Sequence, residues 1–294
     1  MAATQTVRVH ARVADFADAY DGYVLDLWGV IHDGIRPYPG AAHCLGELKA
    51  RGKRIVLLSN APRRAQSVIE AMARMGIARD LFDDALSSGE AAWQALRARA
   101  DDAHRALGRR CYHMGPERDR GMLDGLDLEE AARPSDASFI LNTGVDMDHE
   151  TIADYEAALA EGARAGVPML CANPDLEVIR GGRRVVCAGA LARRYEELGG
   201  RALYHGKPHA PVYERCMSLM TGVARRRIVA VGDSLRTDIA GALAAGLDSV
   251  FVTGGIHGEE LGLAPGQSPE PGRLAALCRA AGWFPGAAIP HFRW

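Results

Sequence analysis

Short apolar runs alternate with amphipathic stretches along the chain, the pattern of an α/β fold. Towards the front, residues 23–28 read as a buried strand and 54–58 as a second. A helix is expected over 41–51, after the Gly/Pro-rich turn GIRPYPGA, and another ending near Gly76. At the far end the alternation returns. Strands are expected at 203–205, 227–231 and 249–252, with helices from about Ala210, through Ala244, and over 272–281. The middle carries its own units: strands at 139–141 and 167–171, a helix over 150–165 with Asp148 as its N-cap, and a shorter helix over 189–198. Residues 116–135 are polar, acidic and glycine-containing, so they read as an irregular connection or a pair of short elements. No internal repeat or low-complexity tract interrupts the pattern.

At 294 residues the chain is too long for one small core and short for three domains, so two are expected. The expected architecture is a doubly wound, Rossmann-like parallel-sheet core built from residues 1–86 and 202–294, with a smaller α/β unit inserted as 87–201. Hydrophobic residues at 48% and charged residues at 24% are ordinary for a globular chain and exclude disorder. The 35 Lys and Arg against 37 Asp and Glu leave a formal charge of −2. That balance argues against nucleic acid or an anionic membrane as the main partner, because both need a basic surface. No apolar run approaches the roughly 18 residues needed to cross a bilayer. The N-terminal stretch lacks a continuous apolar segment and has early acids, which argues against a transit peptide. The six cysteines form no CxxC pair and no metal-finger spacing, so free thiols in a reducing cytoplasm are expected.

Four polar clusters share one position in the pattern, at or just beyond the C-terminal end of an apolar strand. They are Asp26 in LDLWGVIHDG, Ser59 and Asn60 in IVLLSNAP, Lys207 in YHGKP, and Asp233 with Asp238 in GDSLRTD. Ligands of an open parallel sheet bind outside the carboxyl ends of its strands, so these clusters are expected to converge. Carboxylates, one lysine and a hydroxyl around a single point suit a doubly charged anion with Mg²⁺. The carboxylates hold the hard cation, while lysine and hydroxyl neutralise and orient phosphate oxygens. Only three of the basic residues are lysine (Lys49, Lys53 and Lys207), which weakens the reading of Lys207 as a casual loop residue.

Taken in order, these motifs resemble the haloacid dehalogenase superfamily, whose members are mostly Mg²⁺-dependent phosphatases with an aspartate nucleophile. The middle resembles the class IIA cap subgroup: GVIHDGIRPYPGA after the first strand, CANPD in the insert, then YHGKPHAPVYE and GDSLRTDIAGALAAG. The resemblance implies that Asp26 attacks phosphorus and forms an aspartyl-phosphate, splitting one hard displacement into two easier ones. It implies that Ser59 hydrogen-bonds the phosphoryl group with Asn60 beside it, and that Lys207 offsets charge on nucleophile and phosphate. Mg²⁺ would be held by Asp26, Asp233, the backbone carbonyl of Trp28, and Asp238 as ligand or support. Asn173 and Asp175 would face the substrate from the cap. The implied partner is a small phosphorylated metabolite such as a sugar phosphate or nucleotide, and a homodimer is compatible with this reading.

One position departs from the pattern. Family phosphatases carry a second aspartate two residues after the nucleophile, which protonates the leaving oxygen; here that residue is Trp28. Indole has no titratable proton in the useful range. Either the leaving group needs no acid, or His32, Asp33 or the insert supplies one, or the protein binds phosphate with vestigial turnover. A metal-independent dehalogenase-like hydrolase is the alternative Trp28 raises, and the paired acids Asp233 and Asp238 stand against it.

Structural readings compete at several of these positions. Trp28 could serve as packing against the cap, Ser59 as a helix cap, and Asn173-Pro174-Asp175 as a plain turn. Arg180, Arg183 and Arg184 read as a solvated basic face. His113, His205 and the cysteines carry no assigned role.

Overall fold

The computed structural model describes residues 6–264 and 266–294; the first five residues of the N-terminal stretch lie outside the described residues. Along the chain the strands are β1 (Arg8–Val9), β2 (Gly22–Leu25), β3 (Arg54–Ser59), β4 (Asp84–Ser87), β5 (Arg110–Met114), β6 (Glu129–Glu130) and β7 (Phe139–Asn142). They continue as β8 (Met169–Cys171), β9 (Glu177–Arg180), β10 (Arg183–Val186), β11 (Ala202–Tyr204), β12 (Ile228–Gly232), β13 (Asp248–Val252) and β14 (Ala287–Ile289). Seven of them form one sheet in the order β1-β14-β13-β12-β2-β3-β4, parallel throughout. A second parallel sheet runs β11-β8-β7-β5-β6, and β9 with β10 makes an antiparallel hairpin.

A parallel sheet with helical crossovers must bury both faces. Leu25, Leu57, Val231 and Val252 pack on one side of the large sheet, and their neighbours Val24, Val56, Leu58 and Ala230 on the other. The helix Ala41–Ala50 covers the first face with Ala41, Cys44, Leu45 and Leu48, a spacing that makes one helical stripe. The helix Ala210–Leu219 covers the second with Val212, Tyr213 and Cys216. Burying each large aliphatic side chain in this way is worth about 1.5–3 kcal/mol.

Strand order reverses between β2 and β12. From β2 the sheet grows through β3 to β4 on one side, and from β12 through β13 to β14 on the other. The Asp26 N–H donates to the Val231 carbonyl at 2.9 Å, so the two strand ends stop side by side. This reversal is where an open sheet leaves a crevice for a ligand.

The structure corrects several expectations. The first strand ends at Leu25, not residue 28, because the Leu27 carbonyl accepts from both Ile31 and His32 and turns the chain. The strand expected with the core at 203–205 runs over Ala202–Tyr204 and pairs with β8 in the second sheet. Asp148 is not the N-cap of the following helix, Ile152–Arg164. Thr151 caps it in a reciprocal box with Asp154, while Asp148 pairs with Arg180. The 116–135 stretch contains a 3₁₀ turn over Glu117–Met122, the edge strand β6 and a second turn over Pro134–Asp136. Strands β1, β4, β5, β14 and the β9–β10 hairpin escape the sequence pattern.

Candidate active site

The carboxyl ends of β2, β11 and β12 bring three acids and one lysine to a point. Lys207 Nζ lies 2.6 Å from Asp26 Oδ1 and 2.6 Å from Asp238 Oδ1, with all three side chains buried. Asp26, Asp233 and Asp238 each offer a carboxylate oxygen within 4.8 Å of the others. Glycine makes the room. A Cβ at Gly232 would overlap the Asp238 carboxylate, and one at Gly29 would overlap Asp233 Oδ2. Gly29 also holds φ at +74°, where a side chain would be strained. Asp238 sits on a five-residue π turn, Leu235–Ile239, and its Oδ2 accepts from the Ser234 N–H at 3.0 Å. Asp233 Oδ2 accepts from the Ile256 N–H at 2.7 Å. Asp26 Oδ2 and Asp233 Oδ1 accept no hydrogen bond among the described residues.

Three carboxylates facing one ammonium leave an excess of buried negative charge. Burial, then the neighbouring Asp238, pushes the Asp26 carboxyl far above the usual carboxylate range against the pull of Lys207. Burial, then Asp26 and Asp238, does the same to Asp233. At Lys207 burial disfavours the ammonium, but Asp238 and Asp26 together override it and hold the amine well above its ordinary value. Groups arranged in this way are stable as anions only with a further positive charge between them.

Ser59 and Asn60, at the end of β3, line the same cavity of about 700 Å³, as do Trp28, Asn173, Asp175, Lys207 and the three acids. Asn60 ties the two sheets together. Its Oδ1 accepts from the Lys207 N–H at 2.8 Å, and its Nδ2 donates to the Lys207 carbonyl at 3.1 Å and to Asp175 Oδ1 at 2.9 Å. Asn173 Oδ1 accepts from the Asp175 N–H at 3.0 Å, so the CANPD turn is also a positioned part of the cavity wall. Ser59 Oγ accepts from the Ala61 N–H at 3.2 Å. Every residue singled out by motif therefore reaches one cavity.

The Trp28 indole lies over Gly34, where a Cβ would strike its ring, and meets the His32 ring edge-on at 5.3 Å between centroids. It packs on its own loop and on the core cluster beneath the large sheet, while Ile35 of that loop lies against Gly181 of the β9–β10 turn. His32 and Asp33 are not substitute acids. His32 is buried, its Nδ1 accepts from the Gly34 N–H at 2.9 Å, and burial pulls its pKa down to about 4. Asp33 accepts from the Ile35 and Arg36 N–H groups, and neither residue is in the cavity wall.

The sequence missed several cavity residues. Asp119 is buried and paired with Arg63 at 2.7 Å, beside Arg118; it falls in the 116–135 stretch, where no motif marks it. Arg180 and Arg184, read as part of a solvated face, reach the cavity, Arg180 paired with Asp148 and Arg184 with Glu177. Asp148 lies 32 residues before Arg180, beyond the reach of a local pattern, whereas Glu177 faces Arg184 across the β9–β10 hairpin.

Three buried carboxylates gathered around one buried ammonium are a group that could hold a metal ion. Residues 23–129 match the family model for haloacid dehalogenase-like hydrolases, and residues 204–275 match the HAD-hydrolase-like model. A solved haloacid dehalogenase-like hydrolase from Brucella suis 1330 superposes with a TM-score of 0.81 at 34% identity, covering 96% of this chain and 99% of that one. Chronophin from Rattus norvegicus is 30% identical over 254 residues, 85% of this chain and 82% of its own. The ribonucleotide monophosphatase NagD of Escherichia coli K12 is 29% identical over 248 residues, 79% of this chain and 87% of its own. The chain belongs to the haloacid dehalogenase-like hydrolases. Named phosphatases recur among its relatives, the D-glycerol 3-phosphate phosphatase of Mycobacterium tuberculosis among them at 31% identity over 248 residues. No helix among the described residues is long and apolar enough to cross a membrane.

Proposed function

We propose that this enzyme is a Mg²⁺-dependent phosphatase acting on a small phosphomonoester, a sugar phosphate or a nucleotide-like metabolite, through an aspartyl-phosphate on Asp26. The observation that carries the reading is the Asp26 carboxylate, pinned through Oδ1 by Lys207 and clustered with Asp233 and Asp238. The donor set fits Mg²⁺: hard carboxylate oxygens and an uncompensated negative excess, to which the family resemblance adds the Trp28 backbone carbonyl. Asp26, Asp233 and that carbonyl would hold the ion, and Asp238, with both oxygens already engaged, would chiefly hold Lys207. When bound, Mg²⁺ supplies charge that offsets the phosphoryl oxygens and lets two acids stay ionised together.

Asp26 would attack phosphorus, with Lys207 neutralising the charge that builds on the transferring group. The Ser59 hydroxyl and Asn60 would orient the phosphoryl oxygens. Residues 87–201 would act as an inserted, class IIA-type cap that shields this step from water. The six buried, unpaired cysteines support a reducing, cytoplasmic setting. A metal-free dehalogenase would leave three buried carboxylates against one lysine, so it accounts for the site less well.

A panel of phosphate esters, assayed with Mg²⁺ and with EDTA on wild type and Asp26→Asn, tests the reading. Hydrolysis that needs both the ion and Asp26 supports it. Hydrolysis indifferent to EDTA, or binding of esters without turnover, contradicts it.

A further inference from the structure

We infer that Asp175, delivered by the inserted segment, is the acid that protonates the leaving oxygen. This assignment rests on the phosphatase reading above. Trp28 has no proton to give, and His32 and Asp33 lie outside the cavity wall. Apart from the three clustered acids, five carboxyl groups line the cavity: Asp119, Asp148, Asp175, Glu177 and Glu260. Four of them face basic partners: Asp119 Arg63, Asp148 Arg180, Glu177 Arg184, and Glu260 the His257 ring. A basic partner favours the anionic form of a carboxyl; at Asp119 burial outweighs Arg63 and raises the carboxyl, but its Oδ1 stays paired with the guanidinium at 2.7 Å.

Asp175 differs. Its side-chain partner among the described residues is the neutral amide of Asn60, on Oδ1 alone, which leaves Oδ2 free to carry and pass a proton. The same Asn60 grips the Lys207 main chain on both sides, so Asp175 is fixed relative to the lysine that holds Asp26. Burial favours its protonated form, against the attraction of Lys207.

Asp26 Oδ forms a bond to phosphorus as the bond from phosphorus to the ester oxygen breaks. That oxygen keeps the electron pair and takes the proton from Asp175, leaving as the alcohol. The Asp175 carboxylate then takes a proton from the water that attacks phosphorus. The bond between phosphorus and Asp26 breaks, releasing phosphate and restoring both carboxyl groups.

The test is leaving-group dependence. Wild type and Asp175→Asn are compared on glycerol phosphate, whose alkoxide needs a proton, and on 2,4-dinitrophenyl phosphate, whose phenolate does not. Asp175→Asn is expected to lose about 10²–10⁴-fold in kcat/KM on glycerol phosphate and less than about 10-fold on the dinitrophenyl ester. The retained aryl activity also certifies that the variant is folded. Equal losses on the two esters, no loss on glycerol phosphate, or a wild type active on the aryl ester alone would each overturn the assignment. A wild type inactive on both would instead overturn the phosphatase reading beneath it.

Discussion

Lys207 Nζ lies 2.6 Å from Asp26 Oδ1 although 181 residues separate them in the chain. The ammonium shares itself with Asp238, and it is the one cation bonded to this acidic cluster among the described residues. Removing one partner of a buried ion pair strands the other. Lys207→Met is therefore expected to destabilise the fold by about 3–5 kcal/mol at pH 7, measured by urea unfolding in EDTA. Mg²⁺ should return part of that loss, because an ion that binds only the folded state stabilises it. A Lys207→Met protein as stable as wild type would mean that the acids are not charged together.

His32 gives the fold a second, separable dependence on pH. Its folded pKa of about 4 lies below the ordinary value of 6.5 because burial disfavours the imidazolium. Between those values the unfolded chain binds the proton and the folded one does not, so stability present above pH 6.5 is lost as pH falls towards 4. His32→Gln lacks that titration. The stability difference between wild type and variant is expected to shrink by about 3 kcal/mol from pH 7 to pH 4, followed by chemical unfolding at each pH. A difference independent of pH would show that His32 titrates normally.

Trp28 and Asp175 both line the cavity. Trp28→Asp placed in the Asp175→Asn background is expected to recover at least about 10-fold of the lost activity on alkyl phosphates. In the wild-type background it should add little, since an acid is already present. Steady-state kinetics on glycerol phosphate decides this. No recovery would imply that the indole, packed on Gly34 and His32, is needed to shape the loop.

Strands β2, β3, β12 and β13 of the large sheet, and the motif residues at their ends, were legible because both obey short-range rules. Tyr23, Val24 and Leu25 form an unbroken apolar run, and Asp26 follows where the strand stops. Strands β1 and β14 were not legible: two or three residues carry no periodicity, and what makes them strands is pairing with each other and with β13. Ala202–Tyr204 read correctly as a strand but joined the other sheet, a choice made by β8 and not by its own residues. The same limit applies at the site. The placement of Asp26, Lys207 and Asp233 follows from their strand ends. Asp119 and its partner Arg63, or the bond from Asn60 to Asp175, arise only when distant loops meet.

Covalent capture at Asp26 is the most direct check on the proposed chemistry. Enzyme turning over a phosphate ester in Mg²⁺ is quenched in acid and its peptides are weighed by mass spectrometry. Phosphate is expected on the peptide containing Asp26, and absent after EDTA treatment or Asp26→Asn substitution. Rapid turnover with that peptide unmodified, or with phosphate attached to another residue, would contradict a nucleophilic role for Asp26.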